Sequence, residues 1–319
     1  MREDLLNELE TEYEQIRATN ERTEFARREK IRKEQPEVYA LIQERQELMY
    51  GALRAILNKN ADTGRVSERM SELTDMIRGK LAAAGFPPDY LAPVYRCPLC
   101  KDTGKTGELI KEPCECLKKA YQRKLREKIG LNSEKQETFE TFNLLVFPDD
   151  PLPGANYSQR QQMDITKDEC REWAESYPET QNRNLLLSGK SGLGKTFLLR
   201  AIAERLIERD VNVLIISAYK MLEIVRKAYF SNDETADEVT GAEVLMIDDL
   251  GSEPLMQNVT VEQLFNLLNE RQNRRLSTVI STNLTMPELQ NRYTERIASR
   301  LRDRNHWKVI TLEGKDIRS

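Results

Sequence analysis

The sequence has 319 residues, of which 39% are apolar and 32% are charged, so it can form more than one compact domain with a large hydrated surface. Its net charge of −4 excludes a globally basic protein, so any contact with nucleic acid must rest on a local basic patch. No stretch approaches the roughly 20 apolar residues that span a bilayer, and no secretory signal opens the chain; we expect a cytosolic (cytoplasmic) protein with no membrane partner.

Residues 1–84 are predicted to form a helical N-terminal region. Apolar side chains recur at helical spacing in three stretches, which predicts three helices. Pro36 favours a helix start, residues 58–64 favour a turn, and Gly85 with the prolines after it favours the end of the third helix. The apolar stripes fit a self-contained bundle core and a docking surface for a partner helix equally well.

Residues 85–130 combine a loop-rich cysteine segment with a basic helical run, which is typical of a solvated face. Four of the five cysteines lie in this segment: Cys97, Cys100, Cys114 and Cys116. Four thiolates can enclose one Zn²⁺ tetrahedrally and leave no position for a reacting water. We therefore predict a structural zinc module, with reduced free thiols in a loop as the alternative. Cys170 stands apart and is expected to be a small buried side chain.

Residues 131–160 are predicted to be a linker, since they are irregular and contain Phe139, Phe142, Phe147 and several prolines. From 161 to 319 short apolar runs alternate with amphipathic stretches. Five such runs are predicted strands: 185–187, 213–216, 244–247, 279–280 and 309–312. This alternation predicts a parallel five-stranded sheet with helices on both faces.

A phosphate-binding loop is predicted between the first of these strands and the helix after it. Its eight residues are Gly189, Lys190, Ser191, Gly192, Leu193, Gly194, Lys195 and Thr196. The glycines let backbone N–H groups point at phosphate oxygens, and the helix N-terminus adds partial positive charge. Lys195 is expected to neutralise the β and γ phosphates of ATP, and Thr196 to ligate Mg²⁺. The strand and helix context favours this site over a glycine-rich turn with a chance lysine.

Polar residues follow two further predicted strands. Asp248 is expected to hold the magnesium shell, and Asp249 to orient or deprotonate the attacking water. Asn283 could hydrogen-bond the γ-phosphate or that water. Arg296 and Arg300 share one helical face, from which a guanidinium could reach a phosphate on a neighbouring subunit.

The motifs of the second half, taken together, resemble the AAA+ ATPases of the DnaC/DnaI helicase-loader and IstB group. The resemblance covers about residues 138–319 and is carried by residues 139–142, 189–196, 245–251, 281–283 and 295–301. It implies a P-loop AAA+ domain without a helical lid. It also implies that Asn283 is the sensor-1 residue, Arg300 the arginine finger and Arg296 its companion. By the same resemblance, Arg318 is expected to stand where a sensor-2 arginine acts.

The resemblance implies an ATP-dependent replication protein that loads a replicative helicase onto single-stranded DNA as a homo-oligomer, with residues 1–130 gripping the helicase. The cysteine segment resembles that of DnaI-like loaders. The alternatives are an IstB-like transposition helper, binding duplex DNA and a transposase, and a nucleotide-gated adaptor with little hydrolysis.

The helix around 219–230 has cations and rings suited to single-stranded DNA: Lys220, Arg226, Lys227, Tyr229 and Phe230.

Overall fold

The computed structural model describes residues 2–57, 63–131, 137–231, 239–255 and 259–318. Contacts divide the chain into two compact units, one of residues Met1–Leu6 and Lys118–Ser319, the other of Asn7–Leu117. The cysteine segment thus belongs to the same unit as the N-terminal helices, and most of the basic helical run belongs to the larger unit. The division into four domains at 84, 130 and 160 remains a prediction from composition.

The smaller unit contains most of a long helix and two shorter ones: α1 (Arg2–Glu34), α2 (Pro36–Leu57) and α3 (Thr63–Ala83). The end of α1, α2 and α3 share a small apolar core that includes Ile31, Ile42 and Leu81. The turn predicted at 58–64 falls mainly on residues outside those described. A two-stranded antiparallel ribbon, β1 (Lys105–Thr106) and β2 (Glu112–Pro113), separates the two cysteine pairs.

The larger unit is built on the five-stranded parallel sheet that the apolar runs predict. Its strands are β3 (Asn184–Gly189), β4 (Val213–Ser217), β5 (Val244–Leu250), β6 (Ser277–Thr282) and β7 (Trp307–Leu312). Their order across the sheet is β4-β5-β6-β3-β7, and all paired neighbours are parallel. All residues of β3 and β6 are buried, because helices cover both faces.

The helices of this unit include α4 (Glu115–Lys128), which begins just before it, α5 (Gln159–Ser176), α6 (Lys195–Glu208), α7 (Ala218–Ser231), α8 (Val259–Asn273) and α9 (Met286–Leu301). The basic face of α4 is partly paired rather than only solvated, since Arg126 Nε lies 2.7 Å from Glu204 Oε2 on α6. In the part of the chain that the structure describes, no helix combines the length and apolar composition needed to cross a membrane.

Aromatic side chains of the segment predicted to be a linker pack against the start of α6, the helix that follows the phosphate loop. The Phe142 ring lies 5.6 Å from the Phe147 ring and 5.2 Å from the ring of Phe197, near the start of α6. Such pairs add to the free energy gained by apolar burial. The segment predicted to be a linker therefore fixes the first turn of α6 from outside the sheet.

Candidate functional site

The loop between β3 and α6 forms the wall of the site. Gly192 and Gly194 have φ values of 75° and 81°, a left-handed conformation that glycine adopts without a side-chain clash. Gly194 precedes the first residue of α6 and has no side chain that could cap the helix. The N–H groups of this turn and the positive end of the helix dipole therefore form an anion-binding wall.

Lys195 lies at the floor of this loop and is only 6% exposed. Its Nζ donates to the carbonyl oxygens of Gly189 and Lys190, each at 2.6 Å, and to Asn283 Oδ1 at 2.7 Å. Burial lowers the pKa of Lys195 to about 8, although Asp249 and Asp248 oppose the shift. The structure thus brings together the lysine and the asparagine that the sequence places 88 residues apart.

Thr196 and Asp248 meet at the edge of the cavity, where Thr196 Oγ1 donates to Asp248 Oδ1 at 3.1 Å. A hydroxyl beside a carboxylate is the pair of oxygen ligands that P-loop proteins offer to Mg²⁺. The same Asp248 oxygen accepts from the Ser281 hydroxyl at 2.5 Å. The donor set therefore fits magnesium at the predicted position.

Asp249 turns away from the strand that carries it. The pairing of β5 with β6 shifts register between Ile247 and Leu250, and Asp249 has a φ of 58°. The Asp249 N–H donates to Ser281 Oγ at 2.8 Å, and its Oδ1 accepts from Asn283 Nδ2. This irregularity presents the second carboxylate next to the amide rather than on the sheet.

Ser281 is a site residue that the sequence does not predict. Its hydroxyl accepts from the Asp249 backbone and donates to the Asp248 side chain, so one side chain orders both carboxylate residues. The available signal is its place in β6 two residues before Asn283, on the strand between β3 and β5. That neighbour relation requires the strand order, which the sequence alone does not supply.

These side chains surround one cavity of about 320 Å³, within the size range of small-molecule sites. Its lining residues are Ser191, Gly192, Leu193, Gly194, Lys195, Thr196, Phe197, Asp248, Asp249, Ser281, Asn283, Ile317 and Arg318. The cavity joins an anion-binding loop and a lysine on one side to two carboxylates on the other. This arrangement is complementary to a nucleotide's negative phosphate chain and its positive magnesium ion.

The C-terminal segment lies against the phosphate loop. The Ile317 N–H donates to the Gly192 carbonyl oxygen at 3.1 Å, and the Arg318 guanidinium donates to Ser191 Oγ at 2.6 Å. Asp316 lies 3.2 Å from Arg318 Nε, and this pairing lowers the pKa of Asp316. Arg318 is therefore close enough to contribute a cation to the cavity.

Arg296 and Arg300 lie outside this cavity. Both guanidinium groups contact the ring of Phe265 on α8, with carbon-to-centroid distances of 4.1 Å and 4.4 Å. Arg300 also donates to Gln272 Oε1 at 3.3 Å. Cations at these distances are attracted to the face of an aromatic ring. The ring gathers the two arginines at one patch, a feature that helical spacing alone does not predict.

The four clustered cysteines of the smaller unit form a second candidate site. Their Sγ atoms all lie within 4.8 Å of one another, with Cys97 to Cys114 at 3.9 Å and Cys100 to Cys116 at 3.4 Å. Zinc–sulfur bonds of about 2.3 Å place tetrahedral thiolates about 3.8 Å apart. The thiols therefore fit one Zn²⁺. Cys170 is fully buried, which raises the pKa of its thiol to about 12.

Polar contacts hold this cysteine cluster to α1. The Tyr13 hydroxyl donates to Cys116 Sγ at 3.1 Å. Asp102, which is 1% exposed, accepts from the Cys97 N–H at 2.7 Å and from Asn20 Nδ2 at 2.7 Å. Contacts of this kind orient metal ligands.

A phosphate loop after a buried strand, with carboxylates at the end of another strand and an amide on the strand between them, defines a P-loop ATP-binding domain of the AAA+ type. The family comparison agrees with this class. The model of the IstB-like ATP binding proteins matches residues 151–319, and the chain belongs to that family.

Two curated relatives are helicase loaders. The chain is 27% identical to the replicative helicase loader DnaI of Bacillus subtilis over 183 residues, which is 54% of this chain and 57% of DnaI. It is 27% identical to DnaC of Escherichia coli over 146 residues, 43% of this chain and 58% of DnaC. The chain thus spans less than two thirds of each loader. A crystal structure of the DnaC helicase loader covers 56% of this chain and 97% of its own, with 18% identity and a TM-score of 0.45.

Proposed function

We propose that the chain hydrolyses ATP and uses the nucleotide as an assembly switch to load a replicative helicase onto single-stranded DNA. The observation that carries the ATPase half is the convergence of Lys195, Thr196, Asp248 and Asn283 on one cavity. The loader half is supported by the similarity to DnaI and DnaC.

Each site residue has a distinct task in the proposed reaction. Lys195 exchanges its contacts with the loop carbonyls for the β and γ phosphates, while Thr196 and Asp248 hold magnesium. The ion, when bound, neutralises charge on the phosphates. Asp249 orients the attacking water as a general base, and Asn283 fixes the Asp249 carboxylate from the neighbouring strand.

Completion of the site requires a second subunit in this proposal. Arg296 and Arg300 are grouped on Phe265, away from the lining of their own cavity. An arginine supplied by a neighbour stabilises charge in the transition state of phosphoryl transfer. ATP therefore favours a homo-oligomer, and Arg318 acts as a cation within each subunit's own cavity.

The smaller unit is proposed to bind the helicase, with Zn²⁺ held by the four clustered cysteines. The metal supplies four bonds that hold the loops together. Its thiolates come from the residues before β1 and after β2, and Tyr13 and Asn20 link this segment to α1. The zinc therefore stabilises the helical surface that the helicase contacts.

Helix α7 is proposed to contact single-stranded DNA. Lys220 and Lys227 flank Glu223 at 2.9 and 2.8 Å, and these lysines lower the pKa of Glu223 to about 2. Both lysines are exposed. The sequence also predicts a DNA contact by Arg226, Tyr229 and Phe230, whose side chains lie outside those that the structure describes.

Fluorescence anisotropy of a labelled oligonucleotide tests the DNA contact. Affinity is expected to rise with ATP, to fall with salt because phosphate contacts release counterions, and to fall in Lys227→Ala and Arg300→Ala. Lys308→Ala, which removes a surface lysine paired with Glu169, is the control. Binding indifferent to ATP and to both substitutions contradicts the DNA contact and leaves the ATPase proposal in place.

The IstB-like transposition helper is the second candidate, since the matching family model is that of the IstB-like ATP binding proteins. Co-purification of the tagged chain with candidate replicative helicases and with a transposase, with and without ATP, distinguishes the two functions. Capture of the helicase supports the loader, and capture of the transposase supports the helper. Capture of neither, with no turnover of ATP, supports the nucleotide-gated adaptor.

A further inference from the structure

A buried carboxylate lies behind the catalytic end of β5. Glu253 is 2% exposed and is not among the residues that line the cavity. Its Oε2 accepts from the Gly251 N–H at 2.8 Å, and its Oε1 accepts from the Tyr293 hydroxyl. Arg292 lies 3.6 Å from Oε1 and also donates to the Glu253 carbonyl oxygen. Burying a charged carboxylate costs solvation free energy, so such a group is found in a protein interior only where donors of this kind surround it.

The Glu253 carboxylate is connected, through the Gly251 N–H, to the turn that holds Asp249, the residue proposed to orient the water. The Asp249 carbonyl oxygen accepts from the Ser252 N–H at 3.2 Å and from its hydroxyl at 2.8 Å. Asp249 and Gly251 have φ values of 58° and 108°, so the segment from Asp249 to Glu253 is one tight turn. A shift of the Asp249 backbone moves the Gly251 N–H that Glu253 binds.

The Glu253 carboxylate also contacts α9, the helix that carries Arg296 and Arg300. Tyr293 is fully buried, and burial and the Glu253 carboxylate raise the pKa of Tyr293, so the hydroxyl keeps the proton that it donates. Thr294 interrupts α9 with a φ of 76°. A threonine in that conformation is strained and persists only where its surroundings hold it. The helical backbone then resumes towards Arg296 and Arg300.

We propose that Glu253 and Tyr293 are positioning residues that couple the Asp248–Asp249 turn of a subunit to the arginines which that subunit offers to its neighbour. The coupling deepens the proposed ATPase function and rests on it. Because one carboxylate contacts both the turn and the residue before the break at Thr294, a change at the turn is transmitted to the arginine segment. No substrate contact by Glu253 or Tyr293 is required.

Mixed assemblies of two variants isolate the arginine side of this link. An Arg300→Ala chain keeps its ATP site but lacks the arginine finger. A Lys195→Ala chain supplies Arg300 but binds ATP too weakly to be turned over. Neither is expected to hydrolyse ATP efficiently alone, and their mixture is expected to recover turnover. Tyr293→Phe is then added to the Lys195→Ala chain only. The recovered rate is expected to fall about tenfold, since misplacement of a catalytic group by an ångström costs at least this much.

Tyr121→Phe in the same Lys195→Ala chain is the matched control. Tyr121 is also buried in the larger unit, and its hydroxyl donates to Asn212 Oδ1 at 3.2 Å, so the control removes one buried tyrosine hydroxyl elsewhere. Glu253→Gln keeps the length of the side chain and is expected to act like Tyr293→Phe. Thermal unfolding of each chain, and the share of each chain recovered with a tagged partner, are expected to match the control.

The outcomes separate this inference from the function on which it rests. A mixture of Arg300→Ala and Lys195→Ala that recovers no turnover contradicts the finger in trans, and with it the coupling. If turnover recovers, and if the mixtures that carry Tyr293→Phe or Glu253→Gln run at the rate of the Tyr121→Phe control, the coupling alone is overturned. A slower rate explained by lost thermal stability or by failed co-assembly also overturns it.

Discussion

The nucleotide site and the cysteine cluster are two polar sites built in opposite ways. The nucleotide site gathers residues at or after the ends of four strands, β3, β5, β6 and β7, as far apart in sequence as Ser191 and Arg318, around an open cavity of about 320 Å³. The cysteine cluster takes its four thiols from 20 residues, Cys97 to Cys116, and packs them within 4.8 Å of one another.

This difference determines which of the two sites is suited to turning over a substrate. An open site whose charges come from separate rigid elements can admit a ligand and respond to it. A closed set of four thiolates leaves its metal no free position and serves stability. Disturbing the first should therefore change chemistry in a folded chain, whereas disturbing the second should change folding in a unit that performs no chemistry.

The largest effect is expected at the open site from Lys195→Ala. Removing the charge should weaken ATP binding by about 100-fold or more, because a charge-assisted contact to phosphate is lost, while the fold survives. Isothermal titration with Mg·ATP and circular dichroism measure both parts. Lys308→Ala is the surface control, and wild-type affinity in Lys195→Ala contradicts the site assignment.

At the closed site, zinc is expected at about one equivalent per chain. Its removal by a chelator should unfold the cysteine loops and loosen α1, which Asp102 and Tyr13 tie to them, without changing ATP affinity. Elemental analysis and helicity measure the result. Cys97→Ser should lose the metal and Cys170→Ala should keep it. Absence of zinc from chain purified without chelator refutes the prediction.

A smaller effect is expected from Ser281→Ala, which removes the hydroxyl shared by Asp248 and the Asp249 backbone. Magnesium-dependent ATP affinity should fall about tenfold, as when a group that orients a metal ligand is lost, while affinity measured in chelator should not change. Ser281→Thr keeps a hydroxyl and should restore binding. Equal losses with and without magnesium would indicate a general structural effect instead.

The smallest effect concerns pH. Burial lowers the pKa of Lys195 to about 8 in the empty site, and bound phosphate must raise this pKa again. Above about pH 8, ATP binding is therefore accompanied by uptake of a proton. ATP affinity should be constant below the pKa and fall about fourfold between about pH 7 and pH 8.5. Lys195→Arg, which stays charged, should flatten the profile if it binds. A wild-type profile flat to pH 9 contradicts the shift.

The sequence predicts most of the larger unit and the wall of its site. The five apolar runs became the five strands, because buried parallel strands need continuous apolar residues, and the phosphate loop lies where strand and helix signals place it. Ser281, Glu253 and Phe265 were missed. Their roles depend on the strand order β5-β6-β3 and on contacts between α8, α9 and the turn after β5, which no local pattern encodes.

The smaller unit was less predictable for a related reason. The cysteine spacing indicated the cluster, but the contacts of Tyr13 and Asn20 on α1 with the segment around Cys97 to Cys116 join positions about 80 to 100 residues apart. The predicted boundary at residue 84 follows composition, whereas the compact unit follows these long-range contacts and ends at Leu117.

Steady-state ATP hydrolysis, measured as turnover per chain over a range of protein concentrations, is the decisive measurement for the nucleotide site. If the cavity is a hydrolytic site completed by a neighbour's Arg300, turnover should rise with concentration. Asp249→Asn should bind ATP but hydrolyse it about 100-fold more slowly, and Arg300→Ala should bind normally yet show no rise with concentration. Magnesium-dependent ATP binding with turnover no faster than that of Asp249→Asn at any concentration would contradict hydrolysis at a site completed by a neighbouring subunit.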